Sequence, residues 1–501
     1  MVAAVLKKFH GGVHPVEHKE LSELCAIEPM PLPGRLVVPF HQHLGAPSEP
    51  VVKAGDKVLK GDPLGRPEGF ISASVHAPTS GTVVAIQEHA VGHPSGLTML
   101  CAIIEPDGKD AWNPQIKGVD NPLSLEPVAI RDLVKAAGIV GLGGASFPSF
   151  VKLSPPRDKV VELLLINAVE CEPYLTCDAR LMEERPQEVV EGIQIMLHAL
   201  QTRECVIGIE ENKPRAIAAM ERAVAGEPRI RVLTLPVMYP QGSEKQLIEV
   251  VTGRQVPSRG LPIDIGVIVH NVATAVAVRN AVRLGQPLLS RVVTVTGHSI
   301  TRPANIEVLV GTLVDDILAH CGGLRPNTPK VVMGGPMMGL ALHQTDVPVV
   351  KGTSGILALT RDESSGKQEH PCIRCGNCTH ACPMQLVPCT MAWFAKTDQI
   401  DQLTGVDLFD CIECGSCSYV CPANIPLVHY FRFGKLALQA KEREQRKNEL
   451  NKARTQSRNE RLAREKLAKE RKKEEMAAKM AAKKKLDKDA ATQKSDHPAA
   501  E

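Results

Sequence analysis

Eight of the 15 cysteines fall into two runs of one form. The first is Cys372-x2-Cys375-x2-Cys378-x3-Cys382, followed by Pro383; the second is Cys411-x2-Cys414-x2-Cys417-x3-Cys421, followed by Pro422. Three closely spaced thiolates can wrap three corners of an iron–sulfur cube, and the fourth corner then needs a ligand from farther away. Where two such runs occur together, the fourth cysteine of each ligates the cluster of the other. The spacing therefore assigns one [4Fe–4S] cluster to Cys372, Cys375, Cys378 and Cys421, and a second to Cys411, Cys414, Cys417 and Cys382. Proline after each fourth cysteine stops the local helix and frees that thiolate to reach across. A zinc ribbon uses pairs of Cys-x2-Cys, and the extra step with its closing Cys-Pro does not suit a four-ligand zinc site. Disulfides are not expected, because nothing in the chain suggests export.

Such clusters move electrons one at a time, so the rest of the chain has to supply them. At 501 residues it is too long for one core and divides into several domains. The net charge of +3 is unevenly spread: residues 441–501 carry 20 Lys and Arg against 12 Asp and Glu, the remainder 39 against 44. The many free thiols point to a reducing compartment. The N-terminus lacks the apolar core and cleavage pattern of a signal peptide, and no window approaches 18 uninterrupted apolar residues. The expectation is a cytoplasmic protein, soluble or peripherally attached to a membrane.

Residues 1–34 form an N-terminal extension, in which Phe9-His10-Gly11-Gly12-Val13-His14-Pro15 and His18 gather three histidines. A metal site is one reading of them, and plain surface residues of a loop the simpler one. Residues 35–115 show short β-branched runs between Gly and Pro turns and resemble the two halves of a biotinyl/lipoyl-type barrel-sandwich module. The hairpin where such modules carry their modified lysine reads Ser72-Ala73-Ser74-Val75, so no swinging arm is expected. Over 125–290 apolar strands alternate with helices, which implies βαβ units, a mainly parallel sheet and a Rossmann-like α/β domain. Ligands of such sheets sit at the carboxyl ends of the strands. Residues 291–350 suggest a small β-grasp domain, and 360–440 an α-helical two-cluster domain of ferredoxin type. Beyond 441 lies a basic tail, helical or disordered. A solvated helix is the first choice for it, a contact to acidic lipid or to another protein of an assembly the second. Nucleic acid is not an expected partner, since no aromatics interleave with the charges.

The remaining motif is Gly141-Leu142-Gly143-Gly144-Ala145-Ser146-Phe147-Pro148, with Lys152 close behind. Glycines let backbone N–H groups approach a phosphate or a flavin ring, and Lys152 can balance phosphate charge. The loop is neither GxGxxG nor a Walker sequence. It resembles the GRGGAGFP…K segment of the NADH- and FMN-binding subunit of respiratory complex I. Ile166-Asn167-Ala168-Val169-Glu170-Cys171-Glu172-Pro173 is similar to that family's NADESEP, Tyr239-Pro240-Gln241-Gly242-Ser243-Glu244 to its YICGEE, and His270-Asn271-Val272-Ala273-Thr274 to its NNVET. Residues 291–350 resemble the β-grasp (SLBB-like) module that follows there. With the barrel-sandwich start and the paired cluster runs, the whole is similar to the RnfC family, a component of the Rnf (Rsx) electron-transport complexes. Val169, Cys171, Tyr174 and Ser243 depart from the complex I pattern.

The resemblance implies FMN and NAD(H) as cofactors beside the two clusters. Gly143, Gly144 and Lys152 would hold the FMN phosphate or ring edge. Asn167 and Glu170 would contact the flavin, and Asn271 its phosphate side. Phe147, Glu172, Tyr239 and Glu244 would face the nicotinamide nucleotide, with core packing as the other role open to Phe147 and Tyr239. For Glu172 the other role is a helix-terminal charge ahead of Arg180. No side chain is expected to act as nucleophile or acid–base catalyst. The implied function is electron transfer from NADH into a membrane-bound ion-translocating oxidoreductase, whose other subunits link to ferredoxin or flavodoxin. The implied place is the cytoplasmic face of the inner membrane. The rivals are a soluble diaphorase subunit of a hydrogenase or formate dehydrogenase, and an iron–sulfur relay whose flavin site has decayed.

Overall fold

Short β-branched runs cut by glycine and proline build two small facing sheets. In the computed structural model, which describes residues 8–93, 95–364 and 368–493, the first sheet has the order Leu36–Pro39, Thr98–Pro106, Gly81–Ala90, Lys57–Val58. The second has the order Glu49–Pro50, Pro63–Arg66, Val75–His76. Leu36, Val38, Phe40, Leu64, Val75 and Val83 close one core between them, a barrel sandwich. The hairpin before the second half is pinned from outside. Lys351, only 1% exposed, donates to the carbonyls of Ser74 at 2.6 Å and Gly138 at 2.7 Å.

The α/β domain has four parallel strands, in chain order Leu163–Asn167, Cys205–Glu210, Ile230–Leu235 and Val267–Asn271. In the sheet they lie third, second, first, fourth. The direction of winding thus reverses between the first and fourth strands, and the crevice outside their carboxyl ends is where such a sheet takes its ligand. Both faces are covered, as a parallel sheet requires. Leu164, Ile166, Ile207 and Ile209 pack with the helices Pro186–Leu200 and Val272–Arg283. Leu163, Leu165, Val206 and Val269 pack with the helix Glu244–Thr252. The alternating pattern predicts the first three strands. The fourth is not in that reading, because its five residues run without a break into the apolar helix that follows.

The β-grasp domain is a six-stranded mixed sheet in the order Ile27–Pro29, Ala304–Leu309, Ser290–Thr296, Gly355–Leu359, Lys330–Met333, Leu340–Ala341. Sequence reading closes this module at residue 350 and leaves 1–34 outside it. The sheet takes an inner strand from beyond residue 350 and an edge strand from the extension. Local pattern can mark a strand but does not say which sheet it joins.

In the cluster domain the helices Asn377–His380 and Ser416–Tyr419 occupy matching places, each entered through a glycine in the left-handed region: Gly376 at φ 81° and Gly415 at φ 83°. Only glycine adopts that turn without strain. The helix Pro388–Lys396 packs with the start of the helix Leu427–Gln493 around Met391, Leu403, Leu408 and Phe431. This last helix has 67 residues and runs about 100 Å. The boundary expected at 440 falls inside it. From 441 to 490 it is exposed on every side and carries no apolar stripe. Among the described residues no helix is long and apolar enough to cross a membrane.

Candidate functional site

Asn167 and Asn271 end the first and fourth strands and are partners in the parallel register, one on each side of the switch point. Asn167 Nδ2 donates to the Gly242 carbonyl at 2.7 Å. Asn271 Oδ1 accepts from Ala273 N at 2.9 Å, capping the helix Val272–Arg283, while its Nδ2 donates to Asp178 at 2.6 Å. The glycine turn lies over Asn271: a Cβ at Gly143 would stand 3.1 Å from the Asn271 Cβ. Gly144, at φ 113°, opens onto free space. Lys152 Nζ pairs with Glu244 at 2.6 Å and donates to the Val269 carbonyl at 3.1 Å. The glycine turn, the N-terminus of the helix Val272–Arg283 and the Lys152 ammonium therefore lie around the carboxyl ends of the first and fourth strands, residue types that suit a phosphate. These residues are of the kind that would hold the phosphate of an FMN. Burial and the neighbouring Glu170 carboxylate push Asp178 behind Asn271 up to about 7. Burial holds His270 down to about 3, so the strand end carries a neutral imidazole.

Not every expected residue faces this crevice. Glu170 is committed to the helix Cys177–Glu184, whose Asp178 and Ala179 N–H groups donate to its carboxylate at 2.7 and 3.2 Å. It takes the helix-terminal role considered for Glu172. Glu172 instead accepts from the N–H groups of Met337 at 2.9 Å and Met338 at 2.8 Å, and burial raises its acid above the usual carboxylate range. Tyr239 is 3% exposed and its hydroxyl donates to the Cys414 carbonyl at 2.6 Å. Its backbone pairs with Val13 in both directions, and its hydroxyl lies between the cluster run and the Glu172 carboxylate. Phe147 is half-buried at the foot of the glycine turn, its carbonyl accepting from Gly141 N at 2.8 Å. The crevice thus gathers Gly143, Gly144, Lys152, Asn167, Glu244 and Asn271.

Sequence reading missed Lys19. This buried lysine of the extension donates to the carbonyls of Glu170 at 2.9 Å, Glu172 at 3.0 Å and Leu175 at 2.7 Å. All three ammonium protons are spent on the loop after the first strand, where Glu170 and Tyr174 hold left-handed φ values of 49° and 69°. Such backbone costs about 1–3 kcal/mol per residue unless its surroundings enforce it. A lone lysine between His18 and Glu20 gives no local signal of this. Lys19→Met is expected to weaken FMN binding roughly tenfold, the equivalent of about 1.4 kcal/mol. Titration by flavin fluorescence measures it, and parental affinity in a folded variant would count against the role.

Cys382, Cys411, Cys414 and Cys417 line one small apolar pocket, shared with Met384, Leu386, Met391 and Phe431. The N–H groups of Leu386 and Glu413 point at the sulfurs of Cys382 and Cys411, each at 3.4 Å. Three thiols from one run and the fourth from the other fit a cubane whose sulfurs accept backbone hydrogen bonds. Of the other set, Cys372 and Cys375 are exposed and Cys378 is buried. His370 N donates to the Ala423 carbonyl at 2.9 Å and so draws the start of the first run toward Cys421. The histidines of the extension are not gathered: among the described residues the one group close enough to hold a single ion is Glu170, Cys177 and Asp178. Its carboxylates are already engaged by the helix N–H groups and Asn271.

Comparison with known proteins agrees with this layout. The chain matches the RnfC Barrel sandwich hybrid domain over residues 7–109 and the Nuo51 FMN-binding domain over 134–280. It matches the SLBB domain over 292–341 and the 4Fe-4S dicluster domain over 371–425. It is 49% identical to the C component of the ion-translocating oxidoreductase complex of Rhodobacter capsulatus over 442 residues, 88% of this chain and 84% of that one. With the C component of the proton-translocating ferredoxin:NAD(+) oxidoreductase complex of Clostridium ljungdahlii it shares 44% over 397 residues, 79% and 86% of the two chains. A solved NAD+-reducing [NiFe]-hydrogenase in the H2-reduced state is a partial likeness, with 21% identity, a TM-score of 0.45, and 59% and 60% of the chains covered. On identity over most of the chain and the order of its modules, this chain binds FMN and two iron–sulfur clusters and belongs to the RnfC family of the Rnf ion-translocating oxidoreductase complexes.

Proposed function

We propose that this chain takes electrons from NADH at the switch-point crevice and passes them singly to other subunits of an ion-translocating complex. When bound, FMN would supply the conversion of hydride to single electrons and each cubane the carriage of one electron at a time. The chain's own part is to bind, orient and insulate. Lys152, the glycine turn and the N-terminus of the helix Val272–Arg283 would hold the phosphate, and Asn167 and Asn271 the ring side. Glu244 and Phe147 would flank the nicotinamide nucleotide, with Glu172 shaping the wall behind it. Cysteines 411, 414, 417 and 382 would hold the cluster nearer the flavin, and 372, 375, 378 and 421 the one nearer the partner.

The observation that carries this reading is a shared wall. Asn167 is bonded to Gly242, the Gly242 N–H donates to Cys171 Sγ at 3.3 Å, and Cys171 packs with Tyr239 and Cys414. The crevice and the inner cluster cavity are thus built on the same residues, while Cys372 and Cys375 face outward. Ferredoxin, named for the Clostridium relative, would exchange electrons at other subunits. The chain would sit on the cytoplasmic face of the inner membrane and dock through the cluster domain or the basic helix.

The test is an anaerobic NADH titration of the cluster-reconstituted chain, with and without FMN, followed by optical and EPR spectra. Bleaching of both flavin and cluster absorbance is expected, and only with FMN present. Clusters that assemble but stay oxidised under NADH would leave a two-cluster relay without an input site. Membrane co-fractionation that survives mild salt is expected as well; a fully soluble pool would favour a diaphorase.

A further inference from the structure

Several segments converge on the cavity of Cys382, Cys411, Cys414 and Cys417 from outside the cluster domain. The Tyr239 hydroxyl reaches the carbonyl of Cys414, inside one cluster run. Gln246, 2% exposed on the first turn of the helix Glu244–Thr252, donates from Nε2 to the Pro383 carbonyl at 3.3 Å and Met384 Sδ at 3.2 Å, just past the end of the other run. Gly12 N donates to the Ala381 carbonyl at 3.1 Å, and Gly415 sits against the Met337 carbonyl. Two of these contacts come from the flavin-binding domain, and between them they touch both runs. Around Tyr239 the seam is lined by Val13, Cys171, Met337, Ile412 and Val420, with the Glu172 carboxylate against the hydroxyl. Apolar packing alone tolerates sliding, whereas a buried hydroxyl and a buried amide fix one register, since any other would strand them.

We infer that Tyr239 and Gln246 are positioning residues for electron transfer: together they clamp the inner cluster's loops at a fixed distance and orientation from the flavin crevice. This rests on the reading above. In the step they serve, one electron leaves reduced flavin and one reduces the inner cluster; no bond in the clamp forms or breaks, and no proton crosses it. The clamp acts through geometry and through the hydrogen bonding around a cluster ligand, both of which set the rate and the potential of the recipient.

Tyr239→Phe deletes only the hydroxyl, and Gln246→Met replaces the amide by an apolar end on an unbranched side chain of similar length. Both are made in the full chain carrying FMN and both clusters, and read by anaerobic stopped flow and by potentiometric EPR. The expected result for each is flavin bleaching by NADH at the parental rate and cluster bleaching slowed on the order of ten- to a hundredfold, the scale of a small misplacement. The midpoint potential of one cluster should move and that of the other hold. Parental cluster bleaching with both potentials unmoved would overturn the clamp. So would equal slowing of flavin and cluster, which would put Tyr239 back at the hydride site. If one variant does not fold, the other carries the test alone. Should the parental chain itself fail to pass electrons from NADH to the clusters, the underlying reading falls. The clamp is then judged by whether Tyr239→Phe shifts one cluster's potential under chemical reduction.

Discussion

Cys382→Ala removes the cluster held by Cys411, Cys414 and Cys417, and leaves the cluster of its own run in place. That is the expected outcome if the four thiols that line one pocket share one cubane. Iron and acid-labile sulfide should fall to about half after reconstitution, since a cubane short of one thiolate is held poorly. One of the two EPR signals of the reduced protein should vanish. Cys421→Ala should remove the other signal. The pair of variants is informative because each mutated residue lies in sequence with the cluster that survives. Loss of the signal from the residue's own run in both variants would reverse the assignment. A drop to no iron at all would mean that neither cluster assembles without the other. Functionally, Cys382→Ala should still let NADH bleach bound flavin while nothing beyond it is reduced, because the surviving cluster is the outward one.

The second large effect is a pH dependence of stability. Lys351 is enclosed with two carbonyls and no carboxylate, and burial alone pushes it down to about 7 from an ordinary 10.5. Below pH 7 the folded protein carries the full cost of a buried ammonium. As pH rises from 7 toward 10.5 the folded protein has released this proton while the unfolded chain still binds it, so stability increases over that window. Between pH 7 and 9 the gain is about 2 kcal/mol. Nearby His43 and His76 are held by burial at about 4 and about 3, so both are neutral throughout and do not blur the comparison. Lys351→Met should lack this rise. Urea unfolding of parent and variant at pH 7 and pH 9 measures the difference, and parallel curves would show that Lys351 stays charged in the fold.

The two centres differed in how far they could be read from sequence. The cluster cysteines are legible because a cubane imposes its spacing on neighbouring residues. The crevice is legible in part: Gly143, Lys152, Asn167 and Asn271 each stand in a short motif, and the 3-2-1-4 strand order brings those motifs together. Tyr239, Glu170 and Glu172 were matched to motifs as well, yet their side chains turn elsewhere. What turns them is tertiary: Val13 pairing with Tyr239, the open N-terminus beside Glu170, the N–H groups of Met337 and Met338 beside Glu172. Lys19 and Lys351 were invisible for the same reason, since a lysine that bonds only carbonyls leaves no charged partner to pair with it in sequence. The barrel sandwich was recognised from its turns, but the lysine at its hairpin comes from far along the chain.

The threading of the N-terminal extension has a consequence for synthesis. Gly12 pairs with Ala381, Val13 with Tyr239, Lys19 with the loop at 170–175, and Ile27–Pro29 with the strand Ala304–Leu309. Each of these residues leaves the ribosome well before its partner, Gly12 earliest relative to its own. At about 5–20 residues per second, some 20–75 s pass before the partner of Gly12 emerges. Within that wait the buried lysine gains its partners once residues 170–175 emerge and the edge strand once residues 305–307 do, so the extension is seated in stages. Closure of the extension over cysteine runs already in place would seal the inner cavity from its N-terminal side. Iron and sulfide would therefore be delivered most readily in the interval after the cluster domain emerges and before Gly12 closes onto Ala381.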